Sequence, residues 1–439
     1  MKTQNVSIPL SITAPQAPIG LRCVELRNEE HLPDLCADWQ RIVHEMPSKT
    51  ALHDWQYLVS WWHIFGRRCP KTGRSGNLHV LSVIKSDQVI GILPFFAIDR
   101  PATSLMPRRL RPFGYSGRLE PYDLTEEPLV AILPGYEAEV LNAATAWAQQ
   151  GLDRGLWDCA ILNWFGDTPR PKAKGAQRFR KKSGPAHVAL PESWDKFRKS
   201  LSKSMRDNLP YYGRLLTRKG HVWETEIAEI GPDWNSAVGD LVRLHRLRAC
   251  LSNDADRVDH LNEIAHQDFL NAVHDAFRRD ARSFIGLLKV DDEIVAAQLF
   301  FEDDRTLVMS YSGYDLKWSS FSPLLVLQAE VIKKAIDRGI KRLDLLCGEA
   351  KWQERWQPQR DFPVNKWTLA SRRPLAMLRC FNYVLLRETT IYWDKCRLSR
   401  WIRRSRLLTG LQSFGQAIYL GQARHAHLIM QVHRLRSHF

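Results

Sequence analysis

At 439 residues, 44% hydrophobic and 25% charged, the chain is too long for one core and too apolar for a disordered class, so two domains and an extension are expected. The formal net charge of +15 sits in two blocks: residues 371–439 hold 13 Lys and Arg against 2 acidic residues, and residues 167–220 hold 15 against 4, a pattern that attracts anionic partners. The eight cysteines make no CxxC pair and no zinc-type Cys/His spacing, and no apolar run is long enough to span a membrane, so no metal is expected and a cytoplasmic, reducing location is.

In chain order, residues 1–20 read as a disordered leader without the apolar core of a signal peptide. A first domain is expected over 21–166. Trp55 to Phe65 (WQYLVSWWHIF) has helical apolar spacing. Leu78–Ile84 and Val89–Phe96 read as strands of a hairpin turning at Ser86-Asp87. Glu137–Gln150 reads as a helix stopped by Gly151, and Trp157–Leu162 as a strand. A basic linker over 167–191, rich in Pro, Gly, Lys and Arg, leads to a second domain over 192–370.

The second domain opens with two helices, Ser193–Lys219, interrupted by Pro210, and Trp234–Leu251. It then repeats the earlier order. Ser283–Val290 and Glu293–Phe301 form a hairpin across Asp291-Asp292, and Leu307–Tyr314 is a third strand. Laid side by side, VLSVIKSDQVIGILPFFAIDR and FIGLLKVDDEIVAAQLFFEDDR match in kind. Lys85 falls on Lys289 and Asp99-Arg100 on Asp304-Arg305, with one residue inserted. This ordered similarity predicts an internal duplication. Beyond Ser371 lies a basic, apolar-striped helical tail, 371–439. Its run WIRRSRLLTGLQSF suits an interfacial helix on acidic lipid, an RNA contact, a partner helix or packing against the body.

The functional signal is concentrated in Leu307–Trp356. A strand, a Ser-Pro helix (Pro323–Arg338, ending at Gly339) and the strand Lys341–Leu346 make a parallel βαβ unit. Antiparallel strands ending in one parallel crossover give a mixed sheet with helices on both faces, an α/β (α+β) fold. The change of direction opens a crevice at the carboxyl ends of the strands. Ser322 is placed to cap the helix and Pro323 suits its first position. Ser319, Ser320 and Phe321, grouped with Ser322 and with Leu324 of the first turn, offer backbone N–H groups and a helix dipole to a pyrophosphate.

The pieces SLSKSMRDNLPYYGRLLTRKG, LHRLR, FIGLLKVDDEIVAAQLFF and YSGYDLKWSSFSPLLVLQAEVIKKAIDRGIKRLDLLCGEAKWQERW, over about residues 190–360, resemble the GNAT acetyltransferase family. More narrowly, they resemble its CelD-like branch, linked to cellulose and other exopolysaccharide biosynthesis. A weaker echo at 50–165 makes the chain similar to the FemAB-type aminoacyl transferases, which carry two such units. The resemblance implies two tandem GNAT-like domains, the first degenerate. It also implies acyl transfer from acetyl-CoA or another acyl-CoA to an amine or hydroxyl acceptor. The family's Gly-rich Q/R-x-x-G-x-G/A loop before the cofactor helix is replaced here by LKWSSFSPLL, which has no glycine and restricts the backbone's approach to phosphate.

Acyl transfer needs a deprotonated nucleophile, a polarised thioester carbonyl and the two held together. A backbone N–H near the end of Leu307–Tyr314 would polarise the carbonyl, and Tyr311 or Tyr314 would protonate the leaving thiolate. His245 is a candidate base or anion holder, one turn from Arg248. Asp344 interrupts an apolar strand and needs a partner, either a base to orient or backbone amides to bond. Glu349, at the carboxyl end of that strand, is the first candidate for the base. Lys351 and Trp352 follow it as acceptor or phosphate contacts. Arg206, Arg214 and Arg248 are candidates to bind an acidic acceptor. The first half, lacking a Ser-Pro cradle, is expected to be structural or to shape the acceptor groove. Two other functions stay open: transfer from aminoacyl-tRNA held by the basic blocks, and a non-catalytic GNAT-like scaffold bound by its tail to the inner membrane face. No recognised module supports specific DNA binding.

Overall fold

The computed structural model describes residues 20–47, 49–68, 73–114, 128–173, 176–229, 232–251, 261, 264–277, 282–347 and 351–395. The first half runs β1 (Leu21–Leu26), α1 (Cys36–Glu45), α2 (Trp55–Trp61), β2 (Gly76–Lys85), β3 (Gln88–Ile98), β4 (Arg109–Pro112), β5 (Ala131–Ile132), α3 (Glu137–Arg154) and β6 (Cys159–Phe165). Next come β7 (Ala176–Lys182), β8 (Pro185–Ala189), α4 (Trp194–Ser200), α5 (Lys203–Arg218), β9 (Trp223–Ala228), α6 (Pro232–Leu251) and α7 (Ile264–Ala276). The remainder is β10 (Arg282–Val290), β11 (Glu293–Glu302), β12 (Thr306–Tyr314), α8 (Pro323–Asp337), β13 (Arg342–Cys347), α9 (Lys351–Glu354), β14 (Val364–Ala370) and α10 (Pro374–Lys395).

The strands form two mixed sheets, β1-β2-β3-β4-β6-β14-β7, with β5 on β3, and β9-β10-β11-β12-β13-β8. Each contains antiparallel neighbours followed by one parallel pair, β4 with β6 and β12 with β13, so the duplicated order is present in space. Both hairpins close through two residues of positive φ: Ser86 (49°) and Asp87 (63°), Asp291 (48°) and Asp292 (66°). Such turns match the twist of the paired strands, and aspartate tolerates the left-handed region better than most residues. A bulge sits at the same distance from each turn, between Val83 and Ile84 and between Leu288 and Lys289. Measured from the turns, Lys85 matches Val290 rather than Lys289, so the inserted residue falls before the turn.

Three local expectations change. Gly151 lies inside α3, which ends instead at Gly155 with φ 71°. A Cβ at Gly151 would stand 1.9 Å from the Trp157 ring, so this glycine serves close packing and not helix termination. The helix expected over 193–219 is two helices, and Pro210 lies within the second without ending it. Proline removes the N–H that would bond the carbonyl four residues back, and Arg198 donates to that Arg206 carbonyl instead, at 3.4 Å. The segment read as a linker carries β7 and β8.

Those strands bind the halves together. β8, at the end of the first half, pairs with β13, while β14, at the end of the second, pairs with β6. Each sheet is completed by a strand from the other half. One face of the second sheet (Ile285, Leu287, Leu299, Phe301) joins the first half's core through α6 and α7, and the other face (Phe284, Leu288, Phe300) packs under α4, α5 and α8. Tyr57 meets Phe269 edge-on at 5.1 Å and Phe301 at 6.3 Å across that junction.

Candidate active site

β12 and β13 pair in parallel from Thr306–Arg342 to Val308–Asp344 and then part. Beyond that point Ser310–Tyr314 and Leu345–Cys347 make no further pair with each other, and the crevice expected from the strand order would lie between them. The register of β12 on β11 also slips here: Gln298 pairs with Ser312 and Phe300 with Met309, which places an extra residue around Ser310–Tyr311. A bulge takes backbone groups out of the ladder, and this one does so beside the crevice. Two buried glutamines brace it. Gln328 of α8 donates to the Gln298 side chain at 2.9 Å, and Gln298 donates to the Ser310 carbonyl at 3.3 Å. Sequence reasoning missed both, although each is a lone polar residue in an apolar run, VAAQLFF and LLVLQA.

α6 closes over the end of β12. Gly313 makes the approach: a Cβ there would lie 2.2 Å from the His245 backbone nitrogen. His245 is buried and donates through Nδ1 to the Ser312 carbonyl at 3.0 Å, which fixes its proton on that nitrogen. Its ring meets Tyr311 edge-on at 5.9 Å. Arg248 donates to the Ser312 hydroxyl at 3.1 Å and lies over the Tyr314 ring at 5.1 Å. His245, Arg248, Tyr311 and Tyr314 are thus brought together around Ser312, which sequence reasoning did not single out.

The other wall is the end of β13. Asp344 is fully buried, and burial pushes its carboxyl up to about 6 against the pull of Arg342 and of the Leu346 amide. Asp344 Oδ1 accepts from the Leu346 N–H at 2.8 Å, and Arg342 stands 3.5 Å from Oδ2. Of the two partners the sequence left open, the structure supplies backbone. Leu346 has φ 63°, an uncommon conformation for a branched side chain. Asp344 holds this bend from one side, and buried Gln353 of α9 holds it from the other by donating to the Leu345 carbonyl at 2.8 Å. Across the sheet, Asp344 pairs in register with His187, whose titration burial and Arg342 push down.

The start of α8 differs from expectation. Ser322 does not cap through its side chain; it takes φ 45° and ψ 55° in the left-handed region. In that conformation its carbonyl faces the helix and accepts from Leu325 (2.8 Å) and Val326 (3.2 Å). Leu316–Phe321 wind into a 3-10 turn, and the Ser322 N–H is given to Ser319 at 3.2 Å. Trp318 and Phe321 pack on His221 at 4.9 and 5.5 Å, and Leu324 is half-buried against the second core. What faces outward is Lys317, Ser319 and Ser320, at the positive end of a 15-residue helix.

Glu349 and the Lys351 side chain lie outside the described residues. Trp352 packs half-buried on the second core, next in sequence to the Gln353 that holds the Leu346 bend. Arg206 is half-buried and Arg214 exposed, both on α5, which packs on α8 and on the 3-10 turn. Among the described residues no group of His, Cys, Asp and Glu could hold a metal ion. No helix among them is long and apolar enough to cross a membrane.

Residues 203–354, which span α5 to α9 and contain the crevice, match the family model described as an acetyltransferase (GNAT) domain. Residues 203–354 of the second half are thus similar to a GNAT domain, and the first sheet repeats the strand order of the sheet that contains them. No curated protein matches the sequence. Solved structures similar to the chain include a tandem GNAT protein from the clavulanic acid biosynthesis pathway, at 11% identity, covering 80% of this chain and 98% of that one, with a TM-score of 0.45. FemX is similar at 10% identity over 81% and 99%, TM-score 0.49. L-PGS from Bacillus licheniformis is similar at 14% identity over 82% and 97%, TM-score 0.41.

Proposed function

We propose that the second half is an acyl-CoA-dependent N- or O-acyltransferase whose acceptor is an amine or hydroxyl of an exopolysaccharide or cell-envelope precursor. The observation that carries this reading is the parting of β12 and β13 beside the start of α8, inside the span that matches an acetyltransferase domain. Acyl-CoA, when bound, supplies an activated thioester. The residues present fit it in a particular way: the exposed hydroxyls of Ser319 and Ser320, the Ser322 turn, the Leu324 amide and the α8 dipole would hold phosphate, in place of a glycine cradle. The backbone of the Ser310–Tyr311 bulge would polarise a carbonyl in the crevice. Tyr311 and Tyr314, on the strand that lines it, would donate to a leaving thiolate. His245, with its proton fixed on Nδ1, and Arg248 would orient the acceptor side, and Glu349 would take the acceptor's proton. The exopolysaccharide assignment is supported by the sequence resemblance. The protein would act in the cytoplasm, with its tail on the inner membrane face.

The test of the roles is kinetic. Glu349→Gln should lower kcat roughly a hundredfold or more, with acetyl-CoA affinity unchanged. Unchanged turnover removes Glu349 from the mechanism.

A second reading, transfer from aminoacyl-tRNA, is favoured by one observation. β7 is an edge strand that turns Arg178, Arg180, Lys181 and Lys182 outward. Such a strip suits a phosphate backbone. Salt-sensitive binding of tRNA, lost on substituting these four residues, would select that reading over acyl-CoA.

A further inference from the structure

We propose that the first half holds a ligand site of its own, for a small phosphate ester, in a cleft at one end of the first sheet. The site goes beyond the function proposed above and does not rest on it.

The cleft measures about 750 Å³, within the range of small-molecule sites. It is formed where β1 and β3 end and where β2, β4 and β6 begin, so it lies at the amino ends of the parallel pair β4 and β6. The second half's crevice would lie at the carboxyl ends of its own parallel pair, and every described residue that lines the cleft belongs to the first half. The cleft is therefore no copy of the crevice.

Five arginines line it, Arg27, Arg67, Arg68, Arg100 and Arg108, against two carboxylates, Glu29 and Asp99. Four of the guanidinium groups are held in place. Arg27 donates to Glu25 through Nε and Nη2 at 2.9 and 3.0 Å, and Arg108 donates to Asp158 through Nη2 at 3.0 Å. Arg67 Nη2 stands 3.2 Å from Glu29, and Arg68 Nε donates to the Gly73 carbonyl at 3.0 Å. The backbone under Arg67 and Arg68 is fixed as well. The Gly76 N–H donates to the Arg67 carbonyl at 2.9 Å, and Arg68 bridges to Ser75. Gly76 permits this, because a Cβ there would stand 1.8 Å from the Gly66 carbonyl oxygen. A guanidinium carries five N–H donors and no acceptor, so each of these four keeps its Nη1 group outside the described bonds. Glu25 and Asp158 balance Arg27 and Arg108 in charge but not in donors. The cleft thus calls for an anion with several acceptor oxygens, and phosphate meets arginine forks in this way.

The rest of the wall selects an ester over the inorganic ion. Trp62 and Trp157 give their indole N–H groups to Glu29 and to the Ala148 carbonyl, each at 2.9 Å, so they offer the cleft ring carbon alone. Leu78, Ile98 and Leu156 add aliphatic surface. A ligand that fills this space carries a phosphate at the arginines and a ring or apolar group against the tryptophans.

The experiment titrates the full-length protein calorimetrically with phenyl phosphate, inorganic phosphate and benzoate, beside R67E/R68E and the milder R67Q/R68Q, both at exposed positions. The wild type should bind phenyl phosphate roughly tenfold or more tighter than either other probe, and salt should weaken it. The Glu variant should lose roughly tenfold or more in affinity, and the Gln variant should fall between. Absent binding of phenyl phosphate by the wild type, or equal binding by the folded variants, overturns the proposal. Equal affinity for inorganic phosphate overturns the ester, and equal affinity for benzoate overturns the phosphate. S319E/S320E should bind phenyl phosphate as the wild type does. Binding lost in that variant and kept in R67E/R68E would move the ligand to the crevice and also overturn the proposal.

Discussion

A carboxyl group inside a strand destabilises the fold unless it is bonded or neutralised, and Asp344 is both bonded and shifted. With its pKa raised to about 6 in the fold, the group holds its proton at pH values where the unfolded chain has released it. Stability from this residue is therefore full below the ordinary carboxylate range and is lost as pH rises to about 6, at about 1.4 kcal/mol per pH unit across that window. Asp344→Asn keeps an oxygen for the Leu346 amide and removes the titration, so denaturant melts from pH 4 to pH 6 should lose this slope. Asp344→Ala removes the acceptor as well, and should cost about 1–3 kcal/mol and release the Leu346 bend. A slope unchanged in the Asn variant would show that Asp344 is not the titrating group. That Asp344 was unusual could be read from RLDLL, because a lone acid in an apolar strand needs a reason. That its partner is the amide two residues on could not, because the bend at Leu346 depends on Gln353, which reaches back from α9.

At the scale of elements, the second half's crevice depends on how closely α6 approaches β12. Gly313 sets that distance. Gly313→Ala should push α6 off the strand, because the new methyl meets backbone and not a flexible side-chain end. The expected loss is about 1–3 kcal/mol, as for overpacking in general, with loss of the His245–Ser312 contact and of activity. Near-wild-type melting and turnover in this variant would mean that α6 does not position the site. The hairpins, the Ser-Pro helix and the final parallel strand were legible because local chemistry decides them: Asp at positive-φ turn positions, Pro at the first helical position, alternation in the strands. Gly151 and Pro210 misled for the opposite reason. The ring of Trp157 and the guanidinium of Arg198 change what those residues do, and neither is adjacent in sequence. Ser322 read as a side-chain cap but works through its carbonyl, a difference of one φ angle that composition does not carry.

At the scale of the whole molecule, the duplication was legible and the strand exchange was not. β7 reads as basic linker because an edge strand with exposed side chains needs no apolar alternation. The exchange of β8 and β14 makes the halves interdependent. Residues 20–190 or 191–395 expressed alone should aggregate, since each lacks a strand that covers its sheet, and the intact chain should melt in one transition. Independent folding of either piece, seen as a cooperative melt, would contradict this. The central claim is narrower: the crevice beside Ser319, Ser320 and Ser322 takes an acyl-CoA. Calorimetric titration of the full chain with acetyl-CoA tests it most directly. Wild-type protein should bind, and S319E/S320E, which puts negative charge where phosphate would lie, should weaken binding roughly tenfold or more without lowering the melting temperature. No heat with the wild type, or equal affinity in the variant, would contradict the account.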